Sequence, residues 1–372
     1  MRNIVIVLGA GASYDYKAPL MKDFYKVATS IYVSKSYDKE LQRKFDIVFD
    51  FIDNLQKAQA KANLDLHNIE SVYTALEMAK LLKLDNLKRT LGQSWKELDE
   101  AMKFFLTKTV ESQIEMLNSD KLPESIQRNH SFVVLGFDQA KAIDQAVFNA
   151  LKLIEKGWNL TFVTFNYDIV IESILAHKGV GVNYCLRNDD LVSNEKNIKV
   201  LKLHGSINWE KVEVSAGLTN KRNVVKSIPI FGPKRRTRSD PYFLVTEANK
   251  VITKFSETIV PVVVPPVWNK SSYHGEISEI WREAADSFAD ASHIYCLGYS
   301  LPETDGFFKQ LFALGTVGKR PLQEFAVFDV EDKNIIGGVQ SRFRNMLGRG
   351  SENVFEYHGN GAAGLAEKLE NL

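Results

Sequence analysis

The stretch from Asn3 to Ser13, Asn-Ile-Val-Ile-Val-Leu-Gly-Ala-Gly-Ala-Ser, limits the possible folds more than any other part of the chain. Ile4 to Leu8 is an unbroken apolar run rich in branched residues, the pattern of a strand buried on both faces of a sheet. Gly9 and Gly11 follow at once. Glycines so placed let the backbone turn tightly and bring its N–H groups close to a ligand. Ser13 then adds a hydroxyl near the start of an expected helix. A strand, a small-residue loop and a helix N-terminus together make an anion site from oriented amides and a partial positive charge. Gly9, Ala10, Gly11, Ala12 and Ser13 are therefore the candidate cradle of a diphosphate. The other reading is a tight strand-to-helix turn with no ligand. The spacing is not the six-position dinucleotide fingerprint, because Tyr14 stands where its last glycine would be.

Between Ser13 and Gly136 only Gly92 appears, and between Pro19 and Pro123 there is no proline. So long a stretch without breakers is most easily helical. Phe45, Val48, Phe49 and Ile52 share one helical face; Ile69, Val72, Tyr73 and Leu76 repeat the pattern, as do Leu98, Met102, Phe105 and Leu106. Residues 26–139 are read as an α-helical insertion that caps a cleft or makes subunit contacts, and its stripes as core. The chain's 372 residues allow two or three domains. Its formal net charge of +1 gives no global drive toward nucleic acid or a membrane surface. The basic stretch holding Lys221, Arg222, Lys226, Lys234, Arg235, Arg236 and Arg238 reads as a solvated loop, so direct nucleic-acid binding is not expected. No apolar run has the length of a membrane span, and the first residues do not form a signal peptide. Cys185 and Cys296 stand alone, which leaves no cysteine pair for a zinc module. No metal site and no zinc are expected, and the cysteine usage is that of a cytoplasmic protein.

Beyond the insertion, helices and strands alternate. Asp138 to Lys156 reads as an amphipathic helix ended by Gly157, and Leu160 to Phe165 as a strand running into Asn166-Tyr167-Asp168. Ile198 to Leu203 is a strand that ends at His204-Gly205-Ser206. Ser292 to Leu297 enters Gly298-Tyr299-Ser300, and Phe325 to Phe328 ends at Asp329. The alternation predicts an α/β fold: a doubly wound, mainly parallel, Rossmann-like sheet with a large α-helical insertion. The core is then 1–25 and 140–372. In such sheets ligands bind beyond the carboxyl ends of the strands, where all these polar and glycine-rich endings fall.

Taken in order, these endings resemble the sirtuin-like family of NAD-consuming proteins. Gly9-Ala10-Gly11-Ala12-Ser13 resembles its Gly-Ala-Gly-x-Ser diphosphate loop, and Thr164-Phe165-Asn166-Tyr167-Asp168 its Thr-x-Asn-x-Asp motif. His204-Gly205 resembles the catalytic His-Gly pair, and Gly298-Tyr299-Ser300 the Gly-x-Ser loop on the ribose side. Asp329 lies where the family places a polar residue near the adenosine ribose. The likeness covers the α/β core and not the insertion. Two departures stand out: the four-cysteine zinc module of the deacylating members cannot be built, and Phe165 replaces the glutamine of their middle motif. The wording His204-Gly205-Ser206-Ile207-Asn208-Trp209 and Pro265-Pro266-Val267-Trp268 looks like the bacterial sirtuin-like effectors of anti-phage defence, which hydrolyse NAD. The resemblance implies NAD+ as substrate, Thr164, Gly298, Ser300 and Asp329 on the cofactor side with the glycine loop, and a regulated homo-oligomer, sometimes with a partner ATPase or sensor protein.

The residue types suit cleavage of the nicotinamide–ribose bond. That step builds an oxocarbenium-like cation, which must be stabilised while a nucleophile is placed on the opposite face. Asn166 can both donate to and accept from a water or ribose hydroxyl. Its other reading is a turn residue after a strand. His204, with an ordinary pKa of ~6.5, is the candidate base. Asp168 could orient a ribose hydroxyl or the histidine, or cap the following helix. Three functions stay open: NAD glycohydrolase, a sensor that binds NAD or ADP-ribose without turnover, and a deacylase or ADP-ribosyltransferase. Three structural expectations follow. Gly11 clears room for phosphate, so Gly11→Val should abolish NAD binding in an otherwise intact fold. The strands of Asn166 and His204 should both neighbour the strand of Gly9. Neither residue should contact the diphosphate itself.

Overall fold

A computed structural model describes residues 2–33, 39–58, 64–84, 90–113, 132–133, 141–186, 197–216, 220–227, 245–246, 261–264, 277–302, 306–315, 321–332, 335–348 and 350–372. The motif at 265–268 and the basic residues at 234–238 lie outside them.

The first strand, β1 (Arg2–Leu8), is the centre of the molecule: Ile4, Val5, Ile6, Val7 and Leu8 are each at most 3 % exposed. Burial on both faces is what an all-apolar run requires. On one side β1 pairs in parallel with β3 (Trp158–Thr164), which pairs with β5 (Ile198–Lys202), which pairs with β4 (Val182–Asn183). On the other side lie β10 (His293–Leu297), β11 (Glu324–Phe328) and β12 (Phe355–His358), also parallel. The seven-stranded order is therefore β12-β11-β10-β1-β3-β5-β4. The chain winds outward in opposite directions from β1 and β10, so the switch point lies between them. This is the expected doubly wound, parallel α/β sheet. One expectation is corrected: β3 neighbours β1, but β5, which leads to His204, is one strand further out.

Helices α1 (Phe24–Val33), α2 (Lys39–Ala58), α3 (Ile69–Leu81) and α4 (Trp95–Gln113) occupy the expected insertion, and its stripes at Phe45, Val48 and Ile52, at Ile69, Val72, Tyr73 and Leu76, and at Leu98, Met102, Phe105 and Leu106 are buried. They join one continuous apolar core with the sheet. Helix α5 (Ala142–Glu155) packs on β3 and ends before Gly157, whose φ of +83° fits a glycine C-cap. Helix α6 (Val170–His177) follows β3, α7 (Ser278–Asp290) precedes β10, and α8 (Gly306–Gly315), α9 (Val339–Met346) and α10 (Gly361–Glu370) complete the layers. Helix α10 packs on α5, and α8 on α7.

The basic stretch from Lys221 to Arg238 is expected to be a solvated loop, but Lys221, Arg222 and Lys226 stand in a strand. The structure shows a second, antiparallel sheet there, of β7 (Asn220–Ser227), β6 (Gly205–Ala216) and β9 (Pro261–Val263). A two-residue pair, β2 (Phe132–Val133) with β8 (Val245–Thr246), stands apart from both sheets. Helix α4 reaches β9, so the insertion touches the strand that backs His204.

Candidate functional site

The glycine loop does not lead into an α-helix. It winds directly into a 3-10 turn, Ala10–Tyr16, with Gly9 extended before it. Its amides are only partly available. Gly9 N–H donates to Leu297 O (3.0 Å), Gly11 N–H to Gly298 O (2.9 Å) and Ala12 N–H to Gly9 O (2.9 Å). The Ala10 N–H has no partner among the described residues and is the orphan donor of the turn. The glycines are thus held for packing of loop on loop across the switch point. A Cβ on Gly9 would lie 2.5 Å from Gly298 O, one on Gly11 2.8 Å from Gly298 Cα, and one on Gly298 2.4 Å from Ala12 N. The expected reason for Gly11 is therefore corrected: a valine there collides with backbone before any phosphate is considered, so the fold around it does not stay intact.

Asn166, just beyond β3, reaches back to this loop. Its Nδ2 donates to Gly9 O (2.8 Å) and Ser13 Oγ (3.1 Å), and its N–H donates to Thr164 Oγ1 (3.0 Å). The Gly9 carbonyl can only accept, so it fixes which way the amide points. Oδ1 is left without a partner among the described residues. Thr164 is buried and its hydroxyl donates to Leu8 O (3.1 Å), tying the ends of β1 and β3. Asn166 and the glycine loop are one hydrogen-bonded unit. Asp168 caps α6: its Oδ1 accepts from Val170 N–H (3.0 Å). A small cavity lies among Ser13, Thr164, Asn166 and Asp168.

His204 follows β5 and is 5 % exposed. Its ring meets Phe165 edge to face at 5.1 Å and Tyr167 at 6.0 Å, and its carbonyl accepts from Val264 N–H (2.7 Å). Gly205 has φ +78°, and a Cβ there would lie 2.1 Å from Val262 O, so the residue after the histidine must be glycine for β9 to pass. Phe165 stacks on Tyr299 at 4.5 Å and 9° and packs on Phe308. The histidine therefore stands on an aromatic wall running from β3 to β10, a use of Phe165 and Tyr299 that their sequence context did not reveal.

Gly298 N–H donates to Phe328 O (3.0 Å), which locks the β10 ending to β11. Ser300 is exposed and its carbonyl accepts from Arg342 Nε (2.7 Å). Asp329 turns the chain after β11: its Oδ1 accepts from Glu331 N–H (3.0 Å). The structure brings Gly9–Ser13, Thr164–Asp168, His204 and Gly298 together at one end of the sheet, with Ser300 and Asp329 on the outer β10–β11 side of the same end. An open groove of about 890 Å³ lies at the opposite end around Asn3, Trp158 and Lys199 and holds none of these residues. Among the described residues no cluster of three or more His, Cys, Asp or Glu side chains is placed to hold a metal, and no helix is long and apolar enough to cross a membrane.

Sequence reasoning missed Lys202 and Glu172, which form a fully buried ion pair beneath the two turns. Their signal was a charge at a position of β5 and of α6 whose neighbours along the chain are mostly apolar.

No family model matches the chain, and no curated protein sequence matches it. Among solved structures it is similar to one described as the structural basis of sirtuin substrate affinity, at 14% identity, a TM-score of 0.39, and coverage of 100% of this chain and 93% of that one. It is also similar to a Sir2 homolog–NAD complex, at 12% identity, a TM-score of 0.36, and coverage of 99% and 88%. A third is a mutant Sir2 homologue with ADP ribose, at 12% identity, a TM-score of 0.36, and coverage of 99% and 90%.

Proposed function

We propose that this chain is an NAD+ glycohydrolase that cleaves the nicotinamide–ribose bond to give ADP-ribose and nicotinamide. The observation that carries the reading is the Asn166 amide, anchored by Gly9 O and Ser13 Oγ with Oδ1 unspent, at the same sheet end as His204. An acceptor held in this way can fix a ribose hydroxyl or a water without reorganising. The Ala10 N–H and the Ser13 hydroxyl are the donors for the diphosphate, and the free carboxylate oxygen of Asp329 serves the adenosine ribose. Asp168 shapes the turn by capping α6. In the reaction the C1′–nitrogen bond breaks with its electron pair going to nicotinamide. Water oxygen bonds to C1′, and its proton passes to His204.

A pure sensor needs the diphosphate and ribose contacts but not a histidine at the other end of the cleft, so the hydrolase is favoured over it. With no cysteine set for a zinc module and Phe165 in the middle motif, a deacylase is less well supported. The reading extends to a cytoplasmic, regulated defence effector working as a homo-oligomer, with or without a partner ATPase or sensor. Residues 26–139 would then serve as a cap or subunit contact on the 1–25 and 140–372 core. Incubating purified protein with NAD+ should give equal amounts of nicotinamide and ADP-ribose by mass spectrometry. Intact NAD+ across a range of protein concentrations would refute the hydrolase and leave the sensor.

A further inference from the structure

Under the two turns that carry Asn166 and His204 lies a buried polar ring that no step above uses. Lys202, the last residue of β5, and Glu172 on α6 are both fully buried with Nζ 2.8 Å from Oε1. Lys202 Nζ also donates to the backbone carbonyl of Asp168. Glu172 Oε1 accepts from the Tyr184 hydroxyl (3.3 Å), which accepts from Asn208 Nδ2 (3.2 Å). Ser206 Oγ donates to Asn208 Oδ1 (2.6 Å) and lies 3.4 Å from Tyr167 O. The ring thus leaves the 166–168 turn at Asp168, passes through the ion pair, and returns to the same turn through Ser206, two residues after His204.

Stability alone gives no reason for this arrangement. Removing two charges from water costs about as much as their attraction returns, and an apolar pair of similar volume is often as stable or more so. Glu172 Oε2 has no hydrogen-bond partner among the described residues, which adds to the cost. Burial pushes the carboxyl above its ordinary range while the Lys202 ammonium pulls it back. What the pair does supply is direction: one ammonium with fixed donors ties the strand of His204 to the loop of Asn166.

We propose that Lys202 and Glu172 are positioning residues that hold Asn166 and His204 in register across β3 and β5. The turnover part of the test rests on the hydrolase reading; the exchange part does not. Purified full-length chain is compared with the Lys202→Met/Glu172→Leu double variant and with Glu172→Gln, which keeps the size of the side chain and removes its charge. The double variant should unfold within a few degrees of the unaltered chain and bind ADP-ribose within about threefold. Its kcat for nicotinamide release should fall about tenfold or more with KM little changed. Amide hydrogen exchange in peptides covering 164–170 and 203–208 should speed up about tenfold, with β1 and β10 unchanged. Glu172→Gln should show the same pattern in smaller measure and serves if the double variant does not fold. Exchange at both turns matching the unaltered chain, or nicotinamide release within about twofold of it, would overturn the proposal. If the unaltered chain releases no nicotinamide, the hydrolase reading fails while the exchange result still decides the positioning.

Discussion

Replacing Gly298 by alanine tests the closed contact at the switch point. Gly298 has φ +59°, and an added Cβ would lie 2.4 Å from Ala12 N and 2.5 Å from Gly11 C, both backbone atoms. The left-handed conformation costs an alanine about 1–2 kcal/mol. Ordinary contact starts near 3.4 Å, so the two loops must part by about 1 Å, an overpacking cost of about 1–3 kcal/mol. The separation also stretches the Gly11 N–H bond to Gly298 O, now 2.9 Å. The total is about 2–5 kcal/mol. Urea unfolding measures it, with Gly306→Ala as the control, because nothing among the described residues lies within 4 Å of a Cβ there. The control should be neutral or up to about 1 kcal/mol more stable. A Gly298→Ala protein within about 0.5 kcal/mol of the unaltered chain would show that the loops are not packed as described.

Asn166→Asp puts a carboxylate oxygen where Nδ2 now faces the Gly9 carbonyl at 2.8 Å, so it should cost about 1–3 kcal/mol and weaken NAD binding; unchanged calorimetric stability would contradict the brace. His293 is packed against Trp158, and its pKa is lowered by burial, with Arg2 and Lys368 adding to the shift and Glu324 opposing it. The unfolded chain therefore takes up a proton near pH ~6.5 that the folded chain refuses, and stability should fall as pH drops from there toward the lower folded value. His293→Phe should flatten that part of a stability–pH curve, and an unaltered slope would count against the assignment.

The sheet was legible because its signals are local and strong. Ile4–Leu8 has no polar residue to place on a solvent face, and Ile294 and Phe325 lie in similar runs, so these central strands could be read without partners. The strand endings were legible for the same reason, since each polar motif interrupts an apolar run. Strand order was not, because it depends on which pairs form across long sequence distances; His204 was placed one strand too close to Gly9. The β6–β7 hairpin was missed because more than half of its residues are charged or polar and its pattern does not alternate cleanly. The reason for the glycines was misread for a physical cause: a sequence shows that a Cβ is absent, not what it would have struck. The Lys202–Glu172 pair is invisible until α6 and β5 are packed together.

Removal of His204 should separate turnover from binding, because His204 follows β5, one strand removed from the strand of the glycine loop, and its ring packs on Phe165 and Tyr167. Calorimetric NAD+ affinity and the rate of nicotinamide release are to be measured on the same preparations of the unaltered chain and His204→Ala. The account predicts affinity within about threefold and release lowered by about 10²–10⁴. Release by His204→Ala at the unaltered rate would contradict the base, and NAD+ bound but never cleaved by the unaltered chain would contradict the hydrolase itself.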